Sequence, residues 1–551
     1  MRFAVFALGA AAQDLFLPTK PSRPNIVWFL TDDQDQALGG SFPTLEGATP
    51  MPKTRDQLQH KGVMAENWYI HTPICSPSRS ELMTGRYFHN IKQVGTEKGY
   101  CSGMHVNYSL VNNHTFQRVL QEEAGYRVGF FGKYLNEMPQ TVPPGFDAWL
   151  ANDGGNYIAP QFQTKNIDGL PDGGWQGGVE NYSTAVIGNV SIAWIRKVAK
   201  EQKPFFAFVA PKAAHEPFNP APWHVDAWDA SWPDHEPRGE NWNCSAESRQ
   251  HHHGNIPSQP MLTDKAAGVI TGVFKNRWRT LMSVDDVISE VIQTVEELGL
   301  TDNTYFMYSS DHGFQLGQFN IIMDKRHAYE WDTRIHLLAR GPGIKANTTF
   351  GAPGTQVDIA PTILGLAGIE KPAGMDGKSI VPFLVDPKDP SVSEGTQRHL
   401  AQLGDPRAYA AQWRTAVFHE YYFCDFNDKC VQDCPTGQYP KSDSYCGDLE
   451  NNTECWCPGA SQCYRTEDQH NNFIALRSLV NGTNTLYTEY QTGDLADGDI
   501  LFDKVDFVEY FDVDADPWQM KNLANSSEQA VVGDLHRELR RWYECAGDAC
   551  P

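Results

Sequence analysis

The sequence predicts an α/β fold, with a large mixed sheet between helices and a smaller C-terminal α+β domain. Helix-like and strand-like segments alternate from residue 24 to about residue 382, which is typical of layered α/β folds. The strand-like runs are almost wholly apolar, as expected for strands that are covered on both faces. Beyond residue 382 the alternation weakens and a cysteine-rich stretch follows.

Four apolar runs are predicted as strands, and each is followed by polar residues. The runs are residues 24–30, 126–131, 204–209 and 304–309. Helices are predicted at residues 116–124, 183–198 and 278–298. The polar residues after the strands are Asp32 and Asp33, Lys133, His215, and Asp311 and His312. Because ligands of open α/β sheets bind at the carboxyl ends of the strands, we expect these side chains to share one site.

We predict a first domain over residues 22–385 and a cysteine-rich domain over residues 386–551, with strands near 473–476 and 507–511. Of the 12 cysteines, seven lie between Cys424 and Cys463, and two more are Cys545 and Cys550. In an oxidising compartment such cysteines form disulfides, and the short loop from Cys545 to Cys550 favours a pair. A zinc site that includes Cys455 is the alternative, although paired Cys-X-X-Cys motifs are missing.

The N-terminus predicts entry into the secretory pathway. Residues 1–12 contain one arginine and a short apolar run that ends in small residues, as in a signal peptide. An apolar tail on a cytosolic protein, or a truncated gene model, is the alternative. Sequons are frequent and start at Asn107, Asn113, Asn181, Asn189, Asn243, Asn347, Asn451, Asn481 and Asn525. We therefore expect a glycoprotein that is extracellular or lysosomal, without a membrane span.

Charge limits the classes of partner. The chain has 45 basic and 68 acidic residues, a net charge of −23. Such an excess argues against nucleic-acid binding, which needs a basic face. A site for an anion would have to be built locally from a few cationic side chains and a metal.

The most specific motif is Cys75-Ser76-Pro77-Ser78-Arg79, followed by Thr84-Gly85-Arg86. It resembles the signature of type I sulfatases, in which a formylglycine-generating enzyme oxidises the cysteine to formylglycine. The resemblance implies an alkaline-phosphatase-like sulfatase fold and hydrolysis of sulfate esters. A hydrated aldehyde suits this reaction because one hydroxyl attacks sulfur and the other then allows sulfate to be eliminated, whereas a serine could do only the first half. Modification of Cys75 leaves 11 of the 12 cysteines, an odd number, so at least one should be free or form an intermolecular disulfide.

The resemblance also implies a metal site. The family binds calcium through positions that match Asp32, Asp33, Asp311 and His312, together with the formylglycine at Cys75. Carboxylate oxygens suit calcium or magnesium. Many members have Asn where this chain has His312, which leaves magnesium open as the alternative to one calcium ion per chain.

Further catalytic residues are carried over from the same resemblance. Lys133 and Lys325 match lysines that contact sulfate, and His215 matches a histidine near the leaving oxygen. Arg79, one helical turn after Cys75, is expected to hold the modified side chain. Many arylsulfatases have a histidine where this chain has Leu135, so that role is lost or moved.

The substrate is expected to be a sulfated carbohydrate or an aryl sulfate. Motifs around Asp324-Lys325-Arg326 and Gly132-Lys133-Tyr134 are most similar to those of N-acetylglucosamine-6-sulfatases and algal-type arylsulfatases. Residues 152–176, which should shape the sugar pocket, match less well. A phosphatase or phosphodiesterase of the same superfamily is one alternative, although it would normally use Thr or Ser as nucleophile. A non-catalytic glycan-binding relative is the other.

Overall fold

The computed structural model describes residues 23–36, 47–93, 106–423, 431–432, 455–459, 462–480, 482–493 and 500–551. The strands, in chain order, are β1 (Asn25–Thr31), β2 (Val63–Ala65), β3 (Trp68–Tyr69), β4 (Arg127–Lys133), β5 (Ala148–Asn152), β6 (Gln161–Lys165), β7 (Trp175–Gln176), β8 (Phe205–Ala210), β9 (Thr304–Ser310), β10 (Leu337–Arg340), β11 (Thr348–Phe350), β12 (Gly354–Thr355), β13 (Ala416–Tyr421), β14 (Val431–Gln432), β15 (Cys455–Gly459), β16 (Gln462–Arg465), β17 (Phe473–Ser478), β18 (Thr485–Tyr490) and β19 (Phe507–Asp512).

The helices complete the layers. They are α1 (Pro52–Thr54), α2 (Cys75–Thr84), α3 (Tyr108–Asn113), α4 (Phe116–Ala124), α5 (Ser183–Val198), α6 (Ala246–Arg249), α7 (Asn255–Ser258), α8 (Asp264–Glu297), α9 (Glu330–Thr333), α10 (Ile359–Leu366), α11 (Val381–Leu384), α12 (Glu394–Leu403), α13 (Pro406–Ala411) and α14 (Gln529–Tyr543). Among the described residues, no helix combines the length and the apolar character needed to cross a bilayer.

A ten-stranded mixed sheet forms the centre of the molecule, in the order β11-β2-β10-β9-β1-β8-β4-β5-β6-β7. The five strands β9, β1, β8, β4 and β5 are mutually parallel. Strand β10 pairs with β9 and with β2 in antiparallel fashion, and β6 pairs in the same way with β5. The carboxyl ends of the five parallel strands therefore lie along one edge.

Strand β1 shows that the sheet is covered on both faces. Its side chains alternate between two apolar cores, with Trp28 and Leu30 in one and Val27 and Phe29 in the other. All four are fully or almost fully buried. Helices α2, α4 and α10 contribute to the first core, and α5 and α8 to the second. This alternation confirms the predicted α/β layers, because a strand that faced water on one side would not be apolar throughout.

Helix α8 is longer than the sequence predicted. We expected a helix at residues 278–298, but it begins at Asp264, where the Thr263 side chain caps it by accepting a hydrogen bond from the Ala266 amide. Gly268 and Gly272 lower the local helix propensity of the first turns. Burial of apolar residues of this segment in a third core, which it shares with the C-terminal sheet, outweighs that cost.

The C-terminal part confirms the predicted smaller α+β domain. Its antiparallel sheet has the order β13-β17-β18-β19 and is contacted by α14. The predicted disulfide between Cys545 and Cys550 is present. The predicted signal peptide lies outside the described residues. The pairing of the seven cysteines from Cys424 to Cys463 lies outside the described residues and side chains. The domain boundary at residue 385 stays a prediction.

Candidate active site

The four predicted strand ends meet at one edge of the sheet. Asp32 and Asp33 follow β1, Lys133 ends β4, and Asp311 follows β9. These strands lie side by side with β8 in the order β9-β1-β8-β4. The parallel arrangement therefore delivers side chains that are up to 279 positions apart in the chain, from residue 32 to residue 311, to one place.

Cys75 lies at the centre of these strand ends. It is the first residue of α2 and is 2% exposed. Its Sγ is 3.2 Å from Lys133 Nζ, 3.3 Å from His312 Nε2 and 3.5 Å from Asp32 Oδ1. A helix N-terminus and a lysine both favour negative charge at this position, so the site suits a nucleophile that becomes anionic.

Arg79 organises the carboxylates around Cys75. Its Nε donates to Asp311 Oδ2 at 2.8 Å, its Nη1 donates to the Lys133 carbonyl at 2.8 Å, and its Nη2 is 3.5 Å from Asp32 Oδ2. Lys133 also forms an ion pair with Asp32. Arg79 thus contacts the carboxylates and the backbone, and its hold on the modified side chain at residue 75 stays a prediction.

The donor atoms around Cys75 form a group that fits one divalent cation. One donor from each of Asp32, Cys75, Asp311 and His312 lies within 4.8 Å of the others. Asp33 adjoins them, because its Oδ1 is 3.4 Å from His312 Nδ1. Although burial opposes it, the Asp311 carboxylate raises the pKa of His312 to about 10, so the pocket strongly favours positive charge. The three buried carboxylates supply the oxygen donors that calcium or magnesium prefers, and His312 adds one nitrogen beside them.

His215 and Lys325 reach the same site from two loops. A donor atom of His215 lies within 4.8 Å of donors of Asp32, Asp33 and Cys75. Lys325 Nζ is 3.1 Å from Asp33 Oδ1. Burial, followed by the charges of Lys133 and Lys325, holds the pKa of His215 well below its usual value of 6.5. At neutral pH the neutral imidazole therefore predominates at this site.

Sequence reasoning missed two residues beside the site. Glu216 Oε1 is 4.0 Å from His215 Nε2, and burial, reinforced by nearby carboxylates and opposed by Lys325, raises the pKa of Glu216 to about 8. Arg277, from α8, donates to the Asp33 carbonyl at 2.6 Å. Adjacency to His215 could have indicated Glu216, whereas nothing local distinguishes Arg277 within its helix. Leu135 is fully buried in the core and takes no part in the site.

A second group of histidines lies between the first domain and the C-terminal sheet. Glu420 Oε1 is 2.7 Å from His71 Nε2 and 2.8 Å from His89 Nδ1. The other ring nitrogens face the carbonyls of Phe418 and Cys545, at 2.6 and 2.9 Å. Against the effect of burial, the Glu420 charge raises the pKa of His89. Every ring nitrogen faces an acceptor, which is best explained by a buried ion network, not by a metal site.

Comparisons with known proteins agree on one family. A model of the sulfatase family matches residues 24–369, and a model for the C-terminal region of N-sulphoglucosamine sulphohydrolase matches residues 317–434. An N-acetylglucosamine-6-sulfatase from Homo sapiens is 30% identical over 545 residues, which cover 96% of this chain and 86% of that protein. An arylsulfatase from Volvox carteri is 30% identical over 398 residues, which cover 66% of this chain and 58% of that protein.

Solved structures share the fold. One that was determined with its substrate D-glucosamine-2-N,6-O-disulfate has a TM-score of 0.64 and 21% sequence identity, and the match covers 94% of this chain and 97% of that one. At this identity the likeness concerns the arrangement of the sheet and helices.

Proposed function

The chain belongs to the sulfatase family of sulfuric ester hydrolases, and from that premise we propose that it removes the 6-sulfate of N-acetylglucosamine with a formylglycine made from Cys75 and one calcium ion. The observation that carries this proposal is the position of Cys75. Its Sγ lies at the N-terminus of α2, in contact distance of Lys133, His312 and Asp32. A buried structural thiol would not need these charged neighbours.

The substrate is supported by two similar proteins. The relative from Homo sapiens is named an N-acetylglucosamine-6-sulfatase, and the structural neighbour was solved with a 6-O-sulfated glucosamine. The resemblance to an algal arylsulfatase suggests that activated aryl sulfates are accepted as well.

Asp32, Asp33, Asp311 and His312 would hold the calcium ion together with residue 75. When bound, the ion would neutralise negative charge on the sulfate and on the attacking oxygen. Arg79 supports this arrangement from behind, because it binds Asp311 and the backbone of Lys133 at the same time. Removal of Arg79 would therefore disturb the position of the ligand Asp311, although Arg79 is not itself a ligand of the ion.

The lysines and the histidine divide the remaining work. Lys133 and Lys325 place two ammonium groups at the site, where they would bind sulfate oxygens and stabilise charge as the ester bond breaks. His215 would donate a proton to the oxygen that leaves with the sugar. Its Nδ1 lies 3.0 Å from the Glu216 carbonyl and donates to it, so Nε2 is the nitrogen that is left to carry this proton.

Maturation is proposed to take place in the secretory pathway, with a formylglycine-generating enzyme as partner and an extracellular or lysosomal destination. Exposure of sequons supports this. Five of the described sequon asparagines are exposed, namely Asn107, Asn113, Asn189, Asn347 and Asn525. Glycosylation of these side chains would need no rearrangement of the fold. We also propose that residues 22–385 are the catalytic domain and residues 386–551 its C-terminal partner.

The mass of the peptide that contains Cys75 tests the nucleophile. Formylglycine lowers it by about 18 Da, because aldehyde oxygen replaces the thiol. Cys75→Ala should abolish multiple turnover of a small aryl sulfate, and Cys75→Ser should allow a single turnover at most. Cys244→Ala is the matched control, since Cys244 is the other buried free cysteine among the described residues. Sustained turnover by the Cys75→Ala enzyme would exclude the mechanism.

A further inference from the structure

Arg277 joins the long helix α8 to the two loops that carry the proposed calcium ligands. It is 3% exposed, and its Nη2 donates to the Asp33 carbonyl at 2.6 Å and to Asp35 Oδ1 at 2.8 Å. Its guanidinium carbon lies 4.2 Å from the centroid of the Phe314 ring. Asp33 and Asp35 follow β1, whereas Phe314 follows β9. One buried side chain therefore bridges both strand ends.

The backbone of Asp33 is held on both sides by charged groups. Its φ is 58°, in the left-handed region that residues other than glycine seldom adopt. The Asp33 amide donates to Asp311 Oδ1 at 3.2 Å, and the Asp33 carbonyl accepts from Arg277. These two hydrogen bonds fix the peptide groups on either side of the Asp33 Cα, and with them the direction of the side chain.

The Asp33 carboxylate lies among the groups of the site. Its Oδ2 accepts from Lys325 Nζ at 3.3 Å, and its Oδ1 is 3.4 Å from His312 Nδ1. Oδ1 is buried and has no hydrogen-bond partner among the described residues, which fits an oxygen that would contact a cation. A change in the direction of this side chain would therefore alter the proposed calcium site.

The hydrogen bonding of Arg277 argues against a role in stability alone. Its Nη1 is buried and has no hydrogen-bond partner in the part of the chain that the structure describes. Part of the cost of removing the guanidinium from water is therefore not offset. Buried ion pairs with incomplete hydrogen bonding seldom add net stability, and apolar residues of similar size often serve a fold as well. The contacts with Asp33 and Asp35 instead indicate a role at the site.

We propose that Arg277 is a positioning residue that holds Asp33 in the conformation that calcium binding requires. Arg277 itself contacts neither the ion nor the sulfate. The inference rests on the proposed function and adds to it, because it identifies a second arginine behind the calcium ligands. Arg79 supports Asp311, and Arg277 supports Asp33.

Calcium titration of the intact enzyme tests this role. Arg277→Met keeps a long side chain and removes the hydrogen-bond donors. We expect calcium binding, measured by calorimetry, to weaken about 10–100-fold, the usual effect of losing a residue that orients a metal ligand. The calcium concentration that gives half-maximal hydrolysis of an aryl sulfate should rise by the same factor. A variant that had merely lost stability would give less active enzyme without a change in this concentration.

Arg249→Met is the matched control. Arg249 is also a buried arginine, 1% exposed, and it donates to backbone carbonyls that lie outside the site. These carbonyls belong to Cys244, Ile256 and Gln259. Both substitutions should lower stability, but only Arg277→Met should weaken calcium binding.

Arg277→Lys keeps the positive charge and covers the case in which Arg277→Met does not fold. An ammonium group is not planar and cannot stack on Phe314 as the guanidinium does. We therefore expect this variant to bind calcium about fivefold more weakly than the wild type.

The outcomes separate the two proposals. Wild-type calcium affinity in folded Arg277→Met or Arg277→Lys would overturn the role of Arg277 and leave the proposed function standing. An equal loss of affinity in Arg249→Met would overturn it as well, since the effect would then follow from lost stability. Failure of the wild-type enzyme to bind calcium would overturn the proposed calcium site, and the positioning role with it.

Discussion

Replacement of His215 by alanine tests how the leaving group obtains its proton. A sugar alkoxide leaves poorly without a proton, whereas a nitrophenolate leaves readily, so a general acid matters for the first and little for the second. His215 lies at the site with a donor atom within 4.8 Å of donors of Cys75, Asp32 and Asp33. Its Nδ1 is occupied by the Glu216 carbonyl at 3.0 Å, which orients the ring.

The structure gives the sign of the pH effect, and general acid catalysis gives the size of the rate loss. Loss of a general acid typically costs roughly 10²–10⁴-fold in rate, and we expect a loss in that range on N-acetylglucosamine 6-sulfate. Because burial, together with Lys133 and Lys325, lowers the pKa of His215 below 6.5, the free enzyme is mostly unprotonated there at neutral pH. The kcat/KM for the sugar sulfate should therefore rise toward acid pH and should already be falling with increasing pH below pH 6.5, by about tenfold per pH unit.

The assay is a pH profile of kcat/KM on the sugar sulfate and on an activated aryl sulfate. Wild type should show the falling limb on the sugar sulfate alone, and His215→Ala should remove it. His536→Ala, at a half-exposed histidine on α14, serves as control and should retain it. Equal losses on both substrates would refute the reasoning, since His215 would then bind sulfate and the proton would have to come from Lys325 or water.

Two further predictions concern the metal and the ion network. Asp311→Asn removes a ligand charge and the charged partner of Arg79, and should weaken calcium binding by more than about 100-fold in calorimetry. Asp358→Asn, at another buried Asp–Arg pair, is the control and should leave calcium binding unchanged. Full activity after chelation would contradict the calcium site. Glu420→Gln leaves a buried His89 without its anion and should cost about 3–5 kcal/mol of stability in denaturant unfolding. The pKa of His89 is raised, so the contribution of His89 to the free energy of unfolding is complete below pH 6.5 and is lost as pH rises through the folded-state pKa. The pKa of Glu420 is lowered, so the contribution of Glu420 is complete above pH 4.5 and is lost as pH falls through its folded-state pKa. The ion network should thus stabilise the wild type most between about pH 4.5 and 6.5. If Glu420→Gln lost as much stability as the wild type when the pH is raised, the result would argue against the network.

The sequence alone indicated the fold class, four parallel strands of the sheet and the family. The apolar runs that become β1, β4, β8 and β9 predict buried parallel strands, because side chains covered on both faces leave no polar alternation. The motif at Cys75 carried the family, since that cysteine, proline and arginine spacing is specific in a way that a single histidine or lysine is not. The residues that follow the strands could be predicted to lie together, because the carboxyl ends of parallel strands lie at the same end of the sheet.

Only the tertiary structure decided how these groups act on each other. The first turns of α8 carry two glycines, and their helix depends on burial against the C-terminal sheet, which no local pattern reveals. The lowered pKa of His215 and the raised pKa of Glu216 arise from burial and from charges that lie far apart in the chain. A groove of about 530 Å³ exists because β6 folds back antiparallel to β5 and β7 pairs with it. Electrostatic and shape effects of this kind depend on distances through space, and spacing along the chain does not encode them.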